Sequence, residues 1–169
     1  MTARAQPWVN VAASYVSWCT EDTENRSKAI DCMLTGVHLD PAGKFPWCAA
    51  FVHHCGYYGL YDAVTKSSAW PAPATGGCAP LGAWAKAQDC LHTIPAVGDI
   101  FLIYRAGPGF NRFAHTGFVI GHKDDGAYYT IEGNTNTDGS REGIGVFERV
   151  RRPRPGDGFV SISQLLGSA

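Results

Sequence analysis

The residues of this chain best suited to covalent chemistry are Cys48 and His115, with Glu132 and Asn134 following them. Cys48 lies in the stretch Lys44 to Cys55, KFPWCAAFVHHC, just after a proline. Pro46 suits the first position of a helix, because its missing N–H is one of the groups left unpaired there and its φ is already near the helical value. Cys48 is therefore expected in the first helical turn, where free backbone N–H groups and the positive end of the helix dipole favour a thiolate. A free cysteine is equally at home as a small buried hydrophobe. What separates the two readings is a base within hydrogen-bonding reach, and a third group that fixes the base's tautomer and stabilises its charged form.

His115 is the histidine that fits, because it opens the run Ala114-His115-Thr116-Gly117-Phe118-Val119-Ile120, and a polar residue entering an apolar strand is costly unless paired. A partner is offered by Thr130-Ile131-Glu132-Gly133-Asn134, which ends an apolar run with two polar side chains one residue apart. Strand side chains alternate, so Glu132 and Asn134 share a face, and either could hold His115. His38, His92 and His122 sit in turn-like or segment-end surroundings and read as surface residues. His53 and His54, beside Cys55, do not make a metal site: adjacent helical residues diverge, and there is no C-x-x-C or H-E-x-x-H pair. Asn134-x-Asn136-x-Asp138-Gly139 begins like a calcium loop, but its twelfth position falls on Gly145, which has no carboxylate, so it reads as a tight polar turn.

The elements that must position these residues are helical first and strand-like later. Trp8, Val11, Ala12, Tyr15, Val16 and Cys19 recur at helical spacing from Pro7 to about Cys19. A second helix is expected from about Glu24 to Leu34, closed by Gly36, with Glu21, Asp22 and Glu24 complementing its dipole. The helix from Pro46 to about Tyr58 is apolar nearly all round and belongs inside the domain, with Cys55 as a buried free thiol. Residues 67–80, rich in Pro, Gly and small residues, form a surface loop, in which Trp70 lines a groove or packs its floor, and a helix follows from Leu81 to about Cys90. After Pro95 come short β-type runs at Ile100 to Tyr104, Phe113 to Gly121, Ala127 to Glu132, Ile144 to Val150 and Phe159 to Ile162, the pattern of an antiparallel sheet. The expectation is one α+β domain over residues 1–169, helical over about 5–95 and sheet over about 96–165.

Composition narrows the partners. With 169 residues, 45% hydrophobic and 17% charged, the chain has apolar material for one core and no continuous apolar run that could cross a membrane. A net charge of −1 gives no footprint for nucleic acid, and Arg149, Arg151, Arg152 and Arg154, broken by Pro153 and Pro155, read as a solvated connection. Behind Arg4, the residues Gln6, Pro7 and Asn10 interrupt the only candidate for a secretory signal. Six cysteines hint at a working place where disulfides form; if Cys48 stays reactive, at least one more must be unpaired.

Pro46-Trp47-Cys48-Ala49-Ala50-Phe51-Val52, Gly98-Asp99-Ile100, His115-Thr116-Gly117-Phe118-Val119 and Ile131-Glu132-Gly133-Asn134-Thr135, in that order, resemble the CHAP domain, the cysteine, histidine-dependent amidohydrolase/peptidase family. The resemblance implies a papain-like fold, with the nucleophile on a central helix packed on an antiparallel sheet. It also implies cleavage of peptidoglycan amide bonds, between muramic acid and the stem peptide or within the peptide; no cofactor is expected, since the calcium that some family members bind is not carried over. Carried over by position, Cys48 is the nucleophile, His115 the base and acid, and Glu132 and Asn134 the orienting or oxyanion-side groups; Trp47 and Trp70 are the expected substrate contacts. No wall-binding module is read after residue 162, and the family's calcium ligands find no match. A monomer is expected, made in the cytoplasm and acting on the wall after lysis or dedicated secretion: a phage lysin, or a toxin with an inhibitory immunity protein. Competing readings are a papain-like adaptor without turnover, disfavoured by retention of the whole constellation, and a protein acyl transferase or deamidase, which uses the same nucleophile and base.

Overall fold

Pro7 opens the first helix, α1 (Pro7–Ala13), of a computed structural model that describes residues 6–136 and 143–167. Arg4 and the Asp138-Gly139 part of the expected polar turn lie outside the described residues. α1 is shorter than its apolar spacing predicts. Beyond Ala13 the backbone tightens into three-residue turns, from Tyr15 N–H to Ala12 and from Val16 N–H to Ala13, and Ser17 takes a φ of 74°, which no helix accommodates. α2 (Lys28–Gly36) starts later than expected, because Asn25 is left-handed at φ 53° and a turn bridges Thr23 to Arg26. Ser27 then caps it by accepting from the Ile30 N–H. Glu21 has a different task from the expected helix start: it accepts from the Asn25 N–H at 2.8 Å and from the Trp47 indole at 3.0 Å.

A short 3-10 turn, Pro41–Gly43, leads to α3 (Cys48–Gly59), whose capping position is Trp47. Pro46 thus stands just outside the helix, and Cys48 is its first residue. Ala49, Ala50, Phe51, Val52 and Cys55 are all buried, so this helix forms the centre of the core. A small hairpin, β1 (Tyr61–Asp62) with β2 (Ser67–Ser68), precedes α4 (Cys78–Ala87), which begins three residues before the expected Leu81.

The remaining strands are β3 (Leu91–His92), β4 (Ile100–Gly107), β5 (Phe110–His122), β6 (Tyr128–Thr135), β7 (Gly145–Arg151) and β8 (Gly158–Val160), with a final turn of helix, α5 (Ile162–Leu165). They make one antiparallel sheet in the order β3-β8-β4-β5-β6-β7, and the architecture is the expected papain-like α+β one. Phe118 pairs with Ile100 on one side and Ile131 on the other, and its ring lies 6.4 Å from that of Phe51. That row joins the helices in the main core, while Phe101, Ile103, Val119, Tyr128 and Phe159 form a smaller cluster. Trp8 fastens α1 to the sheet by donating its indole N–H to the Gly98 carbonyl at 2.8 Å.

Two glycines set how closely the pieces approach. A Cβ at Gly133 would sit 2.7 Å from Phe51 Cβ and 2.7 Å from Trp47 Cζ3, so α3 lies directly on the backbone of β6. A Cβ at Gly117 would meet the Ile131 carbonyl oxygen at 2.5 Å and Glu132 Cγ at 3.1 Å, so the Glu132 side chain crosses β5 where only glycine leaves room. Gly133→Ala is therefore expected to destabilise the fold by about 1–3 kcal/mol through overpacking. Thermal denaturation followed by circular dichroism reads it; an unchanged midpoint contradicts this packing.

Candidate active site

The start of α3 holds Cys48 at 5% exposure, where helical N–H groups have no partner within the helix. His115 comes from β5, is 3% exposed, and uses Nε2–H to donate to Glu132 Oε2 at 2.8 Å. Nδ1 is thereby the nitrogen left for Cys48; it has no close hydrogen bond at rest, yet the thiol and the ring are near enough to shift each other's ionisation. Such looseness is usual before substrate binds. Burial works against a charged imidazole, but the nearby Cys48 sulfur and the hydrogen bond to Glu132 outweigh it and raise the His115 pKa to about 9. The Cys48 thiol is drawn well below its ordinary range, first by the neighbouring Cys78, and then, against the cost of burial, by His115. Both directions favour a thiolate beside an imidazolium over the neutral pair.

Of the two groups that sequence left open as the partner of His115, Glu132 is the one that bonds it. Its carboxylate is fully buried and fully satisfied: Oε1 accepts from Thr130 Oγ1 at 2.6 Å and Arg151 Nε at 2.7 Å, and Oε2 accepts from His115 and Arg151 Nη2. Burial opposes its charge, yet Arg151 and His115 bring its pKa down to about 2. Arg151 is thus no solvated connection, as its cluster suggested, but a half-buried counter-ion on β7. Asn134 sits within the irregular stretch of β6 between Glu132 and Thr135, with φ 56°; it is 2% exposed and its Oδ1 has no partner among the described residues.

Cys48 and Asn134 line a cleft of about 270 Å³, walled by Phe45 and Pro46, by the start of α4, and by Phe110, Arg112 and Phe113. Arg112 lies over the Phe110 ring at 4.4 Å and brings a positive charge to the mouth. Neither expected tryptophan lines it. Trp47 is fully buried against Phe51 with its indole on Glu21, and Trp70 packs on Trp8 and over Gly56 behind α3. The unexpected neighbour is Cys78, whose sulfur lies 3.6 Å from that of Cys48. All six cysteines are free thiols, so the disulfides hinted at by composition are not formed, and Cys55 is buried as expected. His92 is paired with Asp99 at 3.2 Å rather than merely at the surface, and His54 bonds the Tyr15 hydroxyl at 2.7 Å, its pKa lowered by burial to about 4.

A papain-like sheet carrying a histidine and a carboxylate, with a cysteine at the start of the helix packed on it, is the arrangement that activates a cysteine nucleophile. The model of the CHAP domain matches residues 40–134, more than half of the chain, and the chain belongs to that family. CHAP domains are usually cysteine- and histidine-dependent amidohydrolases that act on peptidoglycan as amidases or peptidases. Comparison with curated proteins finds no match, nor does comparison with solved structures.

Arg151→Gln tests the electrostatic support of the site. Leaving Glu132 buried without its counter-ion is expected to cost about 3 kcal/mol near neutrality. A carboxylate held at about 2 contributes stability above its unfolded pKa and loses it as pH falls toward 2; without Arg151 the folded pKa rises and that acid-side slope weakens. Chemical denaturation of both proteins across the acid range measures both effects, and identical curves contradict the role given to Arg151.

Proposed function

We propose that residues 1–169 act as one catalytic domain, a peptidoglycan hydrolase that cleaves an amide of the stem peptide or of its link to muramic acid. Cys48 Sγ attacks the carbonyl carbon, and the negative oxygen is received by the backbone N–H of Cys48 at the start of α3. His115 gives the proton on Nδ1 to the departing amine, and a thioester remains on Cys48. Water then enters, His115 Nδ1 takes its proton, the acid leaves and the thiolate returns. Glu132 holds the ring through Nε2 and keeps it basic in both steps. Asn134, whose amide oxygen has no partner among the described residues, faces the substrate in the same cleft. Arg112 meets a carboxylate of the peptide at the cleft mouth. The observation that carries the reading is the buried line from Glu132 through His115 to Cys48, opening on a cleft.

The chain works as a monomer on the wall, reached from the cytoplasm by lysis or by a delivery machine. It serves as a phage lysin or as an antibacterial effector, and an inhibitory immunity protein encoded beside it would favour the second.

Purified sacculi are the test substrate. The protein is expected to release new amino groups, and mass spectrometry of the products separates amidase from endopeptidase. Cys48→Ala is expected to keep the fold and lose the release entirely; retained activity removes Cys48 as nucleophile.

The ion pair also fixes the pH dependence. With His115 at about 9 and the Cys48 thiol well below its usual range, kcat/KM is expected to be level through neutrality. It declines as pH rises through about 9, when the imidazole loses the proton needed by the leaving amine. A rate that instead climbs toward an ordinary thiol pKa of about 8.5 contradicts a preformed thiolate.

A further inference from the structure

Cys78 has no part in the hydrolytic steps, yet it touches the nucleophile. It is the first residue of α4, as Cys48 is the first of α3, so two helix starts place two thiols at one cleft. Their sulfurs are 3.6 Å apart, both residues are nearly buried, and both line the cleft, so small reagents that reach one reach the other. A disulfide needs the sulfurs to close to about 2.05 Å, an approach of roughly 1.5 Å that side-chain rotation at a helix start can supply. Cysteines poised for oxidation are those with thiolate character, access and a second thiol at hand.

We propose that Cys78 is a resolving thiol, which converts oxidised Cys48 into a Cys48–Cys78 disulfide and so stores the nucleophile in an inactive, reducible form. The oxidant is a peroxide. Cys48 Sγ attacks one peroxide oxygen and the O–O bond breaks; Cys48 becomes a sulfenic acid and hydroxide leaves. Cys78 Sγ attacks the Cys48 sulfur, the S–O bond breaks, and the hydroxyl departs with the Cys78 proton as water. Two thiols have lost two electrons and the peroxide has gained them. A small dithiol restores both thiols by exchange. Without Cys78 the sulfenic acid stays open to further peroxide and passes to sulfinic and sulfonic acids, which thiols do not reverse. The step needs only the two sulfurs, so it stands or falls apart from the hydrolase reading.

The test treats the reduced full chain with equimolar, then excess, hydrogen peroxide and follows it by intact mass, unreduced peptide mapping and amine release from sacculi. The wild type is expected to lose the mass of two hydrogens, to yield a peptide joining Cys48 to Cys78, and to lose amine release until dithiothreitol returns it. Under excess peroxide Cys78→Ala is expected to gain two or three oxygens on Cys48, which dithiothreitol does not remove. The proposal is overturned if wild-type Cys48 gains oxygens without a linked peptide, if it links to another cysteine, or if it stays unreacted. Mapping of the wild type decides the matter even if the variant does not fold, and the mass readouts decide it even if sacculi are not cleaved.

Discussion

The Glu132 carboxylate is ionised and has no exposure to solvent, and the arrangement of His115 and Cys48 depends on how that charge is compensated. An isolated ion in such a place costs several kcal/mol, and only close partners of opposite sign with full hydrogen bonding offset it. Arg151 supplies one positive charge and His115 the other, while Thr130 takes the remaining lone pair. Each strand gives one member in spatial order: Arg151 from β7, Glu132 from β6, His115 from β5, and then Cys48 from α3. The charges alternate along that line, from the edge strand to the cleft. Every member is stabilised by its neighbours, so the imidazolium survives burial and the thiolate survives beside it.

Such a line needs backbones closer than ordinary side chains allow. Gly117 leaves the space in which Glu132 crosses β5 toward His115, and Gly133 lets α3 rest on β6. Trp47 and Phe51 fill the contact beside Gly133, and the bond from the Trp47 indole to Glu21 fixes the residue immediately before the nucleophile. The tryptophan expected to meet substrate is therefore a spacer that sets the height of Cys48 above the sheet.

Cys48, His115 and Glu132 were legible because their requirements are local: a proline before a helix start, and polar residues in apolar strands that need partners. Arg151 was not. Its neighbours Arg149, Arg152 and Arg154 and the flanking prolines make it look solvated, and the period-two pattern of β7 runs against the usual sense, with Val150 exposed and Arg151 turned inward. A buried carboxylate demanded a cation, and that demand was the available signal. The ends of α1 and α2 were misjudged because single left-handed residues, Ser17 and Asn25, interrupt runs whose hydrophobic spacing continues. Trp70 was ambiguous for a simpler reason: a large aromatic in a loop of small residues suits a groove wall and a core plug equally, and the room over Gly56 decides for the core.

Cys78 was the least legible, since nothing in its surroundings in sequence points across thirty residues to Cys48. The two sulfurs nonetheless divide their roles by physics. Both head helices, and both gain from the N–H groups there. Two thiolates 3.6 Å apart would repel strongly, so one proton stays between them. His115 lies on the Cys48 side and favours its charged form, whereas Cys78 has the field of Arg112 and the N–H of its own helix start. The ionisation of Cys78 is pushed up by Cys48 and by burial, which favours Cys78 as the thiol that keeps its proton. The contact that favours the charged form of the Cys48 sulfur is also the one that the proposed disulfide would close.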